Sequence, residues 1–243
     1  MFKSYAISID VKPKEGECSD HDFRSAKYKL RREYVTQKLI PSFAPISDIE
    51  IFNAISPTEF RFEGESVIYG ERSFKRGKNR NTEKECSVFQ TSLSIGFWHL
   101  YQKSDESGLP ILIFEDDAMV PESSMDTIRR AIDAFLRIEG PAMLYLQSQC
   151  PWKEGLPIRN FREGILIDRC EELNQIEKSF SDIAGTTCFM INAEGSRKMI
   201  ELIGEVGLGA ADQLTNRAMN EQRIAVYIPK DNENMAFINK DLQ

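Results

Sequence analysis

The stretch LPILIFEDDAMVPESS, residues 109–124, runs a continuous apolar segment straight into three adjacent acids. From Leu109 to Phe114 nothing polar alternates with the apolar side chains. That is the pattern of a strand buried on both faces, as in a parallel sheet flanked by helices. In open α/β sheets ligands bind beyond the carboxyl ends of the strands, which is where Glu115, Asp116 and Asp117 stand. Three neighbouring carboxylates repel one another unless a positive charge lies among them. Alternate residues of an extended or turning backbone point to the same side, so Glu115 and Asp117 are candidate ligands of one hard divalent cation, with Asp116 in support. Mg²⁺ or Mn²⁺ held there would neutralise a diphosphate leaving group. The competing reading is three acids ending a strand in solvent. The apolar Ala118-Met119-Val120 behind them favours a site.

Outward from this segment, strands and helices alternate. Tyr5–Ile9 is a β-prone run ended by Asp10 and a Lys-Pro-Lys loop. Apolar spacing predicts a helix over Asp22–Leu39, capped by Asp20 or Asp22 and stopped by Pro41. Ile49–Ala54 reads as a second strand. Residues 70–84, GERSFKRGKNRNTEK, hold six basic residues with almost nothing apolar and read as a loop. Helical spacing returns over Ser87–Gln102, followed by a polar connector at 103–108. A helix from Ser123 or Ser124 to about Ile138, a buried strand at Ala142–Leu146, and a Pro/Gly loop over 148–162 come next. Strands at 165–167 and 187–191, helices at 194–203 and 211–220, and a strand at 224–228 complete the pattern. Such alternation argues for an α/β chain with a mostly parallel central sheet flanked by helices, organised as one domain over 1–243.

Bulk properties narrow the class. With 243 residues, 41% hydrophobic and 28% charged, the chain can build a sizeable core. A net charge of −7 disfavours nucleic acid as a partner. Five scattered cysteines with no CxxC pair, and only two histidines, make a zinc site improbable. Dispersed thiols fit a reducing compartment. The N-terminus turns polar too soon for a signal peptide, and no run reaches the roughly 18 apolar residues of a membrane span. The expectation is a cytoplasmic protein whose membrane contact, if any, is peripheral.

The stretch GLPILIFEDDAMV resembles the strand-plus-acid motif of glycosyltransferase family 25, the lipooligosaccharide and collagen-type glycosyltransferases. Other segments fall in the family's order. Ser4–Asp10 resembles its opening strand and Ile49–Ala54 its second. Glu85–Trp98 stands where its GEIGC-x-LSH helix stands, CFMINAEGSRKMI (188–200) is similar to its Y-L-I-S-x-x-G-A-x-K-L-L block, and Gly209–Leu214 resembles its PVD segment. Two departures are plain: Ser94 is followed by Ile95 rather than His, and Ala211 replaces the proline before Asp212. The resemblance implies a GT-A fold, a nucleotide-sugar donor and usually Mn²⁺. It also implies that Ser8-Ile9-Asp10 seats the nucleotide base and ribose, although Asp10 also reads as a plain loop acid.

Asp212 follows a Gly-rich turn and is a candidate base for an acceptor hydroxyl; the cap of the following helix is an equal reading. The basic stretch from Arg72 to Lys84 could close over diphosphate or an anionic acceptor, or simply be solvated. Trp152 could stack on a sugar or base, though a core position is the commoner fate of such a ring. His99 reads as a packed helix residue and the cysteines as core fillers. Asp231, Asn232 or Asn234 could complete a metal shell. The reading is a glycosyltransferase moving a sugar from a nucleotide-sugar, a UDP-sugar above all, to a hydroxyl of a glycan, lipooligosaccharide or glycoprotein. The rivals are a sugar- or nucleotide-binding scaffold that keeps the fold without the chemistry, and a metal-dependent nucleotidyltransferase.

Overall fold

The computed structural model describes residues 1–8, 19–78, 84–147, 164–179, 186–230 and 235–242. The strands are β1 (Lys3–Ser8), β2 (Ile49–Asn53), β3 (Phe60–Glu63), β4 (Ser66–Tyr69), β5 (Arg72–Lys75), β6 (Ile111–Glu115) and β7 (Ala118–Met119). They continue as β8 (Ala142–Tyr145), β9 (Gly164–Asp168), β10 (Leu173–Ser179), β11 (Cys188–Ile191), β12 (Ala225–Pro229) and β13 (Phe237–Ile238). The helices are α1 (Ser19–Tyr34), α2 (Ile40–Phe43), α3 (Val88–Ser107), α4 (Met125–Phe135), α5 (Ala193–Val206) and α6 (Ala211–Asn220).

Eight strands form the central sheet in the order β2-β1-β6-β11-β8-β12-β10-β9. β1 lies parallel between β2 and β6, and β8 parallel to β12. Only β11 and β10 run against the rest. The sheet is therefore mostly parallel in direction, as expected, and Ser8, Asn53, Glu115 and Tyr145 all stand at carboxyl ends along one edge.

Strand periodicity sorts the core into two layers. Ile111, Ile113, Met143 and Tyr145 face α3, α5 and α6, packing with Phe97, Leu202 and Leu214. Leu112, Phe114, Leu144 and Leu146 face the other way, onto Val35, Leu39, Phe43, Ile128 and Phe135. By the same alternation Glu115 belongs to the α3/α6 side of the sheet.

Three expectations are corrected. The first helix is not stopped by Pro41. After α1 the chain makes a wider turn over Val35–Leu39, in which the Ile40 N–H reaches back to the Val35 carbonyl, and Pro41 sits in the first turn of α2. The wide turn displaces the carbonyl that a proline ring would otherwise strike. The polar connector at 103–108 is the last turn of α3, which runs to Ser107 before Gly108 ends it. Its polar residues mark a helix leaving the core, not a loop. Finally, the basic stretch 70–84 is not all loop. β5 completes an antiparallel sheet with β3 and β4, which residues 58–69 had not suggested. There the Arg72 guanidinium lies 4.6 Å from the Trp98 ring centre and that of Arg76 3.8 Å from Phe62. Aromatic faces take the place of the apolar side chains that the segment lacks.

Candidate active site

β6 carries Glu115 to the sheet edge, and the chain turns immediately through Asp116 and Asp117. Both aspartates are 5% exposed. Charges so buried need partners, and Arg31 of α1 supplies one. Its guanidinium is forked: Nη1 lies 2.9 Å from Asp116 Oδ1 and Nη2 2.8 Å from Asp117 Oδ2. Its Nε donates to the Leu242 carbonyl at 3.0 Å. The fork leaves Asp117 Oδ1 buried with no hydrogen-bond partner.

Glu115 is not paired with Arg31. Its carboxylate accepts a hydrogen bond from the Thr186 hydroxyl. Burial raises the carboxyl first, Asp117 raises it further and Asp116 less; Thr186 and Arg31 only partly offset them, so it is pushed up to about 7. Glu115 therefore senses Asp117 more than Asp116.

The chain's final described segment borders the acids. Ala236 N–H donates to the Leu146 carbonyl at 3.0 Å, β13 pairs with β7, and Asn239 N–H donates to the Asp117 carbonyl at 2.8 Å. The Tyr34 side chain hydrogen-bonds Asn239. Residues 235–242 thus run from the end of β8, past the acidic turn, to α1.

Asp212 lies in the first turn of α6. The cap position is Ala210, so the capping reading is corrected in detail. The carboxylate still serves the helix start, accepting the Gln213 N–H at 2.8 Å. Its neighbourhood connects with that of Glu115 through Tyr145, whose hydroxyl faces Thr215 of α6. Burial lifts the Tyr145 hydroxyl far above its ordinary range, and the charges of Asp212 and Glu115 both act on it in the same direction. Ser8 ends β1, one residue after Ile7, which pairs with Glu115. Its hydroxyl oxygen is buried without a hydrogen-bond partner.

The structure thus draws Glu115, Asp116, Asp117 and Ser8 to one edge, with Asp212 on the α6 side. Ile9, Asp10, Trp152, Asp231, Asn232 and Asn234 lie outside the described residues, as do Cys18 and Cys150. His99 packs as expected: its Nε2 is 3.0 Å from the Tyr69 hydroxyl, and burial followed by Arg72 lowers its affinity for a proton. Cys86 and Cys188 are buried thiols. Among the described residues no three His, Cys, Asp or Glu side chains are grouped closely enough to hold a metal by themselves. Arg31, Thr186 and Tyr145 were missed by the sequence reading. Arg31 is one of six basic residues between 24 and 38, and nothing in its spacing singles it out.

The sequence matches the profile of Glycosyltransferase family 25 (LPS biosynthesis protein) over residues 25–215. The chain belongs to this family. The matched span takes in α1 with Arg31, the acidic turn and Asp212, so family membership covers every side chain of the described site except the 235–242 segment and Ser8. No curated protein matches the chain. Among solved structures it is similar to "The crystal structure of apo- UDP-glucose pyrophosphorylase", with 7% identity, a TM-score of 0.38, and coverage of 93% of this chain and 72% of that one. No described helix is long and apolar enough to cross a membrane.

Proposed function

We propose that this family 25 chain is a metal-assisted glycosyltransferase that moves a sugar from a UDP-sugar to a hydroxyl of a glycan, lipooligosaccharide or glycoprotein. The observation that carries it is the charge imbalance at the sheet edge. Among the described residues three carboxylates meet one guanidinium, and the Arg31 fork leaves Asp117 Oδ1 buried and unpartnered beside a Glu115 whose acidic neighbours and burial outweigh Arg31. With Glu115 ionised the deficit among the described residues is two charges, which suits Mn²⁺ or Mg²⁺. Such ions accept one or two carboxylates and complete their shells with waters and phosphate oxygens. Glu115 and Asp117 would hold the ion with Asp116 in support, while Arg31 fastens one oxygen of each aspartate. When bound, the ion supplies Lewis-acid neutralisation of the departing diphosphate.

The chain's own groups do the rest. Arg31 fixes the rotamers of both aspartates. Thr186 orients Glu115. The buried, unpartnered Ser8 hydroxyl stands at the strand end that, with Ile9 and Asp10 next in sequence, would seat the nucleotide. Asp212 takes the proton from the acceptor hydroxyl. Asp212→Asn is expected to lower turnover at least 100-fold while changing the Kd for UDP and Mn²⁺ less than threefold; equal turnover removes Asp212 from the mechanism.

Release of UDP from a UDP-sugar with Mn²⁺, by the full chain, tests the enzyme directly; binding without release supports the scaffold reading. Protons provide a second check. Because the folded Glu115 value lies above the ordinary 4.5, this group favours the metal-free fold below pH 4.5 and loses that contribution as pH rises to about 7. A cation must displace the proton, so the stabilisation by Mn²⁺ grows in the opposite direction. Thermal melts should therefore show a small Mn²⁺ shift at about pH 5.5 and a several-fold larger one at about pH 8. Equal shifts would exclude Glu115 as a ligand.

A further inference from the structure

A cleft of about 660 Å³ opens between the end of β5, the α5–α6 turn and the outer face of α6. Its size is that of a small-molecule site. The chemistry of its walls is uneven. Arg76 is paired with Glu85, and Arg217 with Glu221 at 2.6 Å. Lys75 and Lys78 also line it, both exposed, and neither has a charged partner among the described residues. Against them stands Glu65 alone. This leaves a local positive excess on a chain of net charge −7.

The backbone, not counter-ions, holds the two lysines there. Leu208 N–H donates to the Lys75 carbonyl at 3.0 Å, and Gly77 N–H to the Leu208 carbonyl at 3.1 Å. The crossing is so close that a Cβ on Gly77 would lie 2.4 Å from the Leu208 oxygen, and one on Gly207 2.3 Å from the Lys75 oxygen. Gly207 also has φ +93°, a conformation that side chains resist. Two ammonium groups are thus built into a backbone-braced rim with no ion-pair partner among the described residues. Leu214 and Val206 add apolar surface to the lining, and Asn220 an amide suited to hydroxyls.

We propose that this cleft is an acceptor subsite that binds a saccharide bearing a phosphate or carboxylate group. The inference rests on the transferase reading only for the word acceptor. Gln213 lines the cleft and donates its N–H to Asp212, so the subsite begins one residue from the proposed base. A saccharide anchored by its charge on Lys75 and Lys78 lies beside the start of α6, next to the proposed base.

The test is binding of glucose 6-phosphate, glucuronate and glucose to the full chain by ligand-observed NMR, compared with K75E/K78E and the milder K75Q/K78Q. Both lysines are exposed, and an unchanged melt confirms that each variant folds. Wild type is expected to bind the two anionic sugars at least tenfold more tightly than glucose, and to lose that preference at high salt and in both variants. Saturating UDP with Mn²⁺ should leave it intact. Unchanged preference in K75E/K78E, or displacement of the sugar by UDP with Mn²⁺, overturns the subsite. Failure of UDP and Mn²⁺ to bind at all sinks the donor site instead, and leaves the sugar comparison readable.

Discussion

Asp117→Asn is expected to abolish detectable Mn²⁺-dependent UDP binding and to lower sugar transfer by at least 100-fold, about 2.7 kcal/mol of transition-state stabilisation. The substitution keeps volume, and its amide oxygen can still accept from Arg31, so the fold should tolerate it. What disappears is the negative charge behind the buried, unpartnered Oδ1. Glu115→Gln serves as the partner experiment. It should impair metal binding to a similar extent, yet it also removes a carboxyl that burial and its acidic neighbours hold up to about 7. At about pH 8 the metal-free Gln variant should therefore melt higher than wild type, because an ionised buried carboxylate no longer has to be accommodated. Isothermal titration with Mn²⁺ and UDP measures the first effect, and thermal melts the second. Wild-type transfer by Asp117→Asn would end the proposed role of the acidic turn.

The second large effect concerns Arg31→Met. Removing one member of a buried ion pair strands its partners, at a typical cost of about 3–5 kcal/mol. Here two aspartates at 5% exposure lose their shared cation, and the Leu242 carbonyl loses its donor. Urea unfolding without metal should show a loss of about that size, roughly 10 °C in Tm for a chain of this length. Mn²⁺ should recover part of the loss, since it neutralises the same acids. Arg31→Lys should fall between: it keeps the charge, but an ammonium cannot reproduce a planar fork across two carboxylates. A metal-free urea midpoint unchanged in Arg31→Met would mean that the fork is incidental and that the aspartates are stabilised by other means.

The legible parts of this protein were those written in local pattern. Ile111–Phe114 announced a strand covered on both sides, and its neighbours on the two layers, Ile113 and Phe114, confirm it. Ser87, followed three residues later by Gln90, forms a capping box that starts α3 where the periodicity does. The span 211–220 was read as a helix and is α6. β10 was missed because a bulge between Ile176 and Lys178 breaks the two-residue repeat by which strands are recognised. β5 reads as loop in the sequence because its basic residues hide the strand pattern: Arg72 rests on Trp98 of α3, and Arg76, just past the strand, on Phe62 of β3.

The amino-acid order alone was enough to place three acids at the carboxyl end of a buried strand, since burial and strand periodicity are properties of neighbours along the chain. It could not say which cation meets them. Arg31 lies 85 residues from Asp116, and only the packing of α1 against the sheet edge selects it from other basic side chains of the same helix. Electrostatic partnership depends on distance in space and on local burial, and both come into being only when the layers close.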